Sequence, residues 1–331
     1  MLFATTRPGQ LQFDFHTRGI ARAAGGWLKR EEAIMGTAIT VELWADDRRQ
    51  GEAAAAAVMD EMHRIDRLMS PHKPGSELSR INREAAQRAV PLSEEMGRLV
   101  ERALAFSQLS GGAFDISYAA AGQLYDYRQR VRPDAAALAA ACECVGWKGL
   151  RLDARARSLR FAREGMRIDL GGFAKGHAVD NAAAILRRRG ISHAIVSAGS
   201  DSRVVGDGRG RPWSVALRDP RRPGADMAVR PLRDVSISTS GDCARGVDDR
   251  NGHGHPLIDP ATGCSPRGVR SVTILADDGL TSEALSKAVF VLGVERGMAL
   301  VAGVPGTQAV VVDAQGVLHA SPGLLLPAAA D

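Results

Sequence analysis

Residues 167–190 read RIDLGGFAKGHAVDNAAAILRRRG, and this stretch joins two periodicities across one glycine-rich turn. Met166 to Leu170 alternates apolar and polar side chains, which predicts a strand. From Ala178 onward, Val179, Ala182, Ala183 and Leu186 recur at the spacing of a helix's buried face. Gly171, Gly172 and Gly176 at the junction would permit close backbone approach and positive φ. A helix that starts here offers unpaired N–H groups and a partial positive charge, the arrangement by which proteins hold phosphate. Lys175 adds a full charge in the same turn. Taken alone, the turn suits a tight strand–helix junction with a solvated lysine as well as an anion cradle. Its spacing matches neither G-x-x-x-x-G-K-[ST] nor G-x-G-x-x-G, so a nucleotide held here would sit in another fold.

The 331 residues allow one large domain or two ordinary ones, and 45% hydrophobic with 24% charged residues describes a globular enzyme. No apolar run is long enough to span a bilayer, so membrane insertion is not expected. The net charge is +5, but the basic residues are scattered, as in RRR (187–189) and DPRRP (219–223), with few aromatics among them. That argues against a nucleic-acid partner. Cys142, Cys144, Cys243 and Cys264 fit neither a zinc framework nor a disulfide scaffold and read as ordinary thiols in a reducing compartment. The first thirty residues lack an apolar signal core, so the chain as written reads as cytoplasmic; a mis-called start that hides an export signal stays open. The expected organisation is a loosely ordered lead-in over 1–32, one domain over 33–320 and a tail over 321–331.

Along that domain, AIMGTAITVELWA (33–45) reads as a strand and Ala54, Val58, Met62, Ile65 and Met69 as the buried face of a long helix. Ser93 caps a second helix that stops at Gly111-Gly112, and Pro133-Asp134 opens a third. Strands are expected near 149–153, 158–162, 193–199, 213–220, 235–242 and 269–276. TSEALSKAVFVLG (281–293) reads as a helix closed by Gly293, and a hairpin turns around AQG (314–316). Helices and strands are mixed throughout, which predicts an α+β fold with largely antiparallel pairing.

Several loops are too particular in composition to be spacers. In order they are MGT (35–37), MSPHKPGSELSRIN (69–82), GGAFD (111–115), DLGGFAKG (169–176), VSAGSDSRVVG (196–206), STSGD (238–242), LIDPATG (257–263) and TSEALSKAVFVLG (281–293). The set resembles the ApbE family of FAD:protein FMN transferases over roughly residues 33 to 315. That resemblance implies a two-part α+β fold related to the tunnelling fold, with FAD in the cleft between the parts. It also implies magnesium-dependent cleavage of the FAD pyrophosphate. FMN passes to a threonine or serine hydroxyl of an acceptor flavoprotein, and AMP is released.

By position in the family, Asp169 and Lys175 contact FAD, the Gly172 carbonyl is a metal ligand, and Ala113, Phe114, Asp115 and Leu257 line the cofactor. Met35 and His72 stand where the family contacts the flavin or adenine. Four departures bear on the chemistry. The histidine expected before Asp259-Pro260 is Pro256, which leaves His255 or His253 as the candidate base; both also read as surface-loop histidines. Cys243 replaces an expected ring, and Gly199-Ser200-Asp201 replaces G-G-D. At the two magnesium ligands, an aspartate and a threonine four residues on, this chain has Glu283 and Lys287. Glutamate can still reach a metal, but a protonated lysine cannot ligate one. The pair also reads as an ordinary i,i+4 ion pair on a helix. Alternatives to transfer are FAD hydrolysis to FMN and AMP, or flavin binding without catalysis.

Overall fold

The computed structural model describes residues 25–126, 129, 131–213, 216–218, 226–228, 232–241 and 257–324. The chain opens there on a hairpin of β1 (Gly26–Ile34) and β2 (Thr37–Ala45), paired antiparallel from Gly26–Ala45 to Ile34–Thr37. Its turn is Met35-Gly36, with φ of +54° and +70°, the left-handed geometry that matches the twist of the flanking strands. The first strand thus begins earlier than the sequence suggested, since residues 26–32 belong to the sheet rather than to a lead-in. Met-Gly lacks the Asn-Gly signature of such turns, and the charged run Lys29–Glu32 hides the alternation of β1.

Helix α1 (Arg48–Met69) follows, with the Asp47 carboxylate accepting the Arg49 and Gln50 N–H groups, and it buries Val58, Met62 and Ile65 completely. Next come α2 (Glu77–Glu84), the short β3 (Val90–Pro91) and α3 (Glu94–Leu109), which Ser93 caps as the sequence indicates. A turn of 3₁₀ helix at Ile116–Tyr118 leads to α4 (Ala119–Gly122), α5 (Ala135–Cys142), β4 (Leu150–Asp153) and β5 (Ser158–Phe161). Strands β3, β5 and β4 make a small antiparallel sheet.

Residues 166–170 correct the strand reading: they join no ladder. Met166, Ile168 and Leu170 are nevertheless buried, which is why they alternate like a strand. The Asn82 side chain replaces a neighbouring strand, accepting the Ile168 N–H at 2.8 Å and donating to the Ile168 carbonyl at 2.9 Å. Asp169 donates its N–H to the Ile116 carbonyl at 2.9 Å. Helix α6 (Ala174–Arg188) then starts without a side-chain cap. None of Gly171, Gly172 and Gly176 adopts positive φ. Gly176 serves close approach instead, because a Cβ there would lie 2.2 Å from the Gly279 carbonyl oxygen.

The rest of the chain supplies β6 (Ala194–Ala198), β7 (Asp201–Val205), the pair β8 (Ala216–Arg218) and β9 (Asp226–Ala228), β10 (Ser236–Gly241) and β11 (Val269–Ala276). Helix α7 (Gly279–Ala302) and the hairpin β12 (Gln308–Asp313) and β13 (Leu318–Ala320) complete it. Gly293, at φ +79° and ψ −177°, interrupts α7, so the sequence-predicted helix is its first segment.

The main sheet runs β1-β2-β6-β7-β10-β11-β12-β13 and is antiparallel throughout. Helices α1, α6 and α7 cover one face over Ile39, Val41, Val196, Ile274 and Val311. A smaller cluster, including Ile195, Val204, Trp213, Val310 and Leu324, fills the other. Leu324 was read as part of a tail, yet it is fully buried. The small sheet with α2 to α5 forms the second part, and the clustered rings of Phe106, Phe114 and Phe173 join the two. Cys142, Cys144 and Cys264 are free thiols, and among the described residues no helix is long and apolar enough to cross a membrane.

Candidate active site

Two cavities meet at the junction of the parts, and Asp169 and Tyr118 line both. The larger, about 770 Å³, lies between the β1–β2 turn, the C-terminal end of α1 and the start of α6. That is within the roughly 300–1,000 Å³ of small-molecule sites. Met35, His72 and Lys175 line it. The smaller is a slot of about 60 Å³ walled by Ala113, Phe114, Asp115, Gly172, Leu257 and Lys287. The eight residues expected at the cofactor therefore line two adjoining cavities, together called the groove below, that share Tyr118 and Asp169.

Their individual settings differ. Met35 reaches the groove from a left-handed turn residue, while His72 is exposed at its rim. Phe114 is buried in the aromatic cluster and shows the slot one side. The Asp115 carboxylate accepts the Ser117 and Trp147 N–H groups, both at 2.7 Å, so it braces the loop that forms the slot wall. Burial pushes its carboxyl up from the ordinary value despite those bonds. Asp169 is also raised by burial, only partly offset by the Gly171 N–H it accepts and by the charges of His72 and Arg167. Leu257 stands on the LIDPATG loop, which is held by the Asp259 carbonyl accepting from Thr262 and Gly263 and by the Tyr125 hydroxyl donating to the Gly263 carbonyl.

The start of α6 departs most from expectation. The Gly176 N–H, expected to face phosphate, donates to Glu283 Oε2 at 2.7 Å. Lys175 donates to Glu283 Oε1 at 2.6 Å and to Asp201. The anion at this helix N-terminus is thus the protein's own carboxylate, brought by α7 across the Gly176–Gly279 contact. Burial alone would lower the Lys175 ammonium, but Asp201 and Glu283 outweigh it and hold it above the usual range. Burial alone would raise Asp201; Lys175 and Lys287 overcome that and hold it low. Lys287 closes the cluster, 3.4 Å from Glu283 Oε1 and 3.4 Å from Ser286 Oγ.

Sequence reasoning missed Tyr118 and the role of Asp201. All three tyrosines of the chain fall between 118 and 127, a concentration of a scarce ring that could have flagged the first. Asp201 was visible only as the end of a turn motif. His253, His255, Pro256 and Cys243 lie outside the described residues.

The family model described as the ApbE family matches residues 35–311. The chain belongs to the ApbE family. It is 30% identical over 315 residues to the FAD:protein FMN transferase of Treponema pallidum (strain Nichols), covering 89% of this chain and 87% of that relative. It is 31% identical over 276 residues to a FAD:protein FMN transferase of Klebsiella pneumoniae (strain 342), covering 81% and 79%. Among solved structures it is similar to the ApbE protein of Thermotoga maritima MSB8, with a TM-score of 0.80 at 29% identity over 90% of this chain and 97% of that one. The flavin transferase ApbE of Vibrio cholerae gives 0.78 at 26% identity over 90% and 98%.

Within this ApbE fold, the expected magnesium ligands do not form a fitting donor set. Glu283 is fully buried. Its Oε1 faces two ammonium groups and its Oε2 takes the Gly176 N–H. Asp201, the second carboxylate on Lys175, spends its oxygens on that ammonium and on the Ser238 hydroxyl. Lys287 offers donors only. Among the described residues no three His, Cys, Asp or Glu side chains gather as a metal-ligand group.

Proposed function

We propose that this chain is a FAD:protein FMN transferase that holds FAD along the groove through Asp169. The observation that carries the reading is the convergence on one groove of all the cofactor residues expected from the family pattern. The groove's mixed lining suits a dinucleotide, which has two ring systems and a charged middle. Phe114, Ala113 and Leu257 offer apolar contact, and the Asp169 carboxylate, which when ionised only accepts hydrogen bonds, suits the N–H groups of a flavin imide or an adenine amine. Lys287 faces the pyrophosphate.

In the transfer, a threonine or serine hydroxyl oxygen of an acceptor flavoprotein bonds to the FMN phosphorus. The bond from that phosphorus to the bridging oxygen breaks, and AMP departs with that oxygen. The hydroxyl proton passes to a base, the role we assign to His255. Positioning and charge stabilisation carry most of such a phosphoryl transfer. Among the described residues the expected magnesium ligands Glu283 and Lys287 do not form a fitting donor set.

Calorimetric titration with FAD, FMN and riboflavin tests the binding half of this reading. FAD should bind at least about tenfold more tightly than either fragment, a difference of about 1.4 kcal/mol. Equal affinity for FAD and riboflavin would contradict it.

A further inference from the structure

We propose that the Lys287 ammonium is the built-in cation of this cleft, standing beside Glu283 in place of a divalent ion. It lets the site take a dinucleotide pyrophosphate without metal. The ligand in this proposal rests on the FAD reading above; the metal independence rests on the charge cluster alone.

The two lysines of the cluster are not equivalent. Lys175 is committed inward, to Asp201 and to Glu283 at 2.6 Å. Lys287 makes two long contacts of 3.4 Å, and its side chain lines the slot with Gly172 and Asp169. An ammonium has three donors, so one held this loosely keeps capacity for a phosphoryl oxygen. Its side chain is only 15% exposed, and a charge so placed acts more strongly than one in water. Gly172 packs along it: a Cβ at that position would lie 3.5 Å from Lys287 Cε.

Charge balance points the same way. Asp201 and Glu283 supply two negative charges, and Lys175 and Lys287 supply two positive ones. All four carboxylate oxygens are engaged. A divalent ion beside Glu283 would meet two ammonium groups and a neutral cluster, and could enter only by displacing Lys287. A pyrophosphate meets the opposite situation, since the ammonium attracts it and Glu283 keeps that ammonium in place. The chain thus carries its cation covalently.

Mn²⁺ is the probe for the metal, and flavin fluorescence reports FAD. Equilibrium dialysis of Mn²⁺ should leave wild-type protein without a bound ion, while Lys287→Thr, which exchanges a cation for a hydroxyl ligand, should hold one ion per chain. FAD affinity of the wild type should be equal in EDTA and in Mg²⁺, and that of Lys287→Thr should rise about tenfold or more on adding Mg²⁺. Lys287→Arg should stay metal-independent, because it keeps the charge. One Mn²⁺ per wild-type chain, or a tenfold gain in wild-type FAD affinity with Mg²⁺, would overturn the proposal. The wild-type measurements decide it even where a variant fails to fold. Dialysis without flavin decides it even where FAD does not bind, a result that would instead defeat the transferase reading.

Discussion

Met35 shows how one residue can serve the groove at a local conformational cost. A side chain at φ +54° costs about 1–2 kcal/mol relative to glycine, whereas glycine loses about 0.5–1 kcal/mol more than other residues on ordering. Met35→Gly should therefore change stability by less than about 1 kcal/mol in urea melts and still weaken FAD binding, because the thioether arm leaves the cavity wall. Unchanged FAD affinity would make Met35 a turn residue and nothing more. Lys175 belongs to the opposite class. It is the counter-ion of two buried carboxylates, so Lys175→Met leaves Asp201 and Glu283 with Lys287 alone. The expected loss is about 3–5 kcal/mol, the range for breaking a buried pair, read by urea unfolding at pH 7. A wild-type melt would show that its charge faces ligand or solvent instead.

The helices α1, α3, α6 and α7 position the groove through contacts that are specific in shape and charge. At the α6–α7 crossing, Gly176→Ala would press a methyl against the Gly279 carbonyl, whose oxygen would lie 2.2 Å from it. Overpacking of this kind costs about 1–3 kcal/mol or more. The variant should melt earlier and bind FAD more weakly, since the same shift moves Glu283; wild-type values for both would mean the crossing yields freely. On the outer side, Glu95 at the start of α3 accepts from Arg64 on α1 at 2.7 Å and pairs with His177 on α6 at 2.6 Å. His177 first, and Arg64 second, hold its carboxyl well below the ordinary 4.5. A depressed carboxylate stabilises the fold above its ordinary value and loses that contribution as pH falls through the folded value. Glu95→Gln should cost about 1.5–3 kcal/mol at pH 7, and the gap to wild type should narrow as melts are repeated below about pH 4.5. A pH-independent gap would assign the loss to packing.

At the scale of the whole molecule, the α+β class, the capped helices and the order of the groove's loops were legible in the sequence, because caps and apolar periodicity are local signals. The β1–β2 hairpin was not, since Met-Gly is an unusual pair at its turn and four charged residues, Lys29 to Glu32, fill the middle of β1. Residues 166–170 looked like a strand because burial alternates there, while their backbone partners are the Asn82 side chain and the Ile116 carbonyl. Neither partner is local in sequence. The eight residues expected at the cofactor do line the cavities, but the partners at the start of α6 were not legible, for the same reason. That Lys175 and the Gly176 N–H answer to Glu283 depends on how α7 crosses α6, a distance of more than a hundred residues along the chain.

The central claim concerns transfer, and mass spectrometry of an acceptor tests it most directly. The acceptor is a threonine-bearing flavoprotein, incubated with FAD and this protein, with the Vibrio cholerae flavin transferase as the positive control. We expect the acceptor to gain the mass of one FMN less one water, with one AMP released for each acceptor modified. An unmodified acceptor beside equal amounts of free FMN and AMP, or beside intact FAD, in a reaction whose positive control succeeds, would contradict the claim.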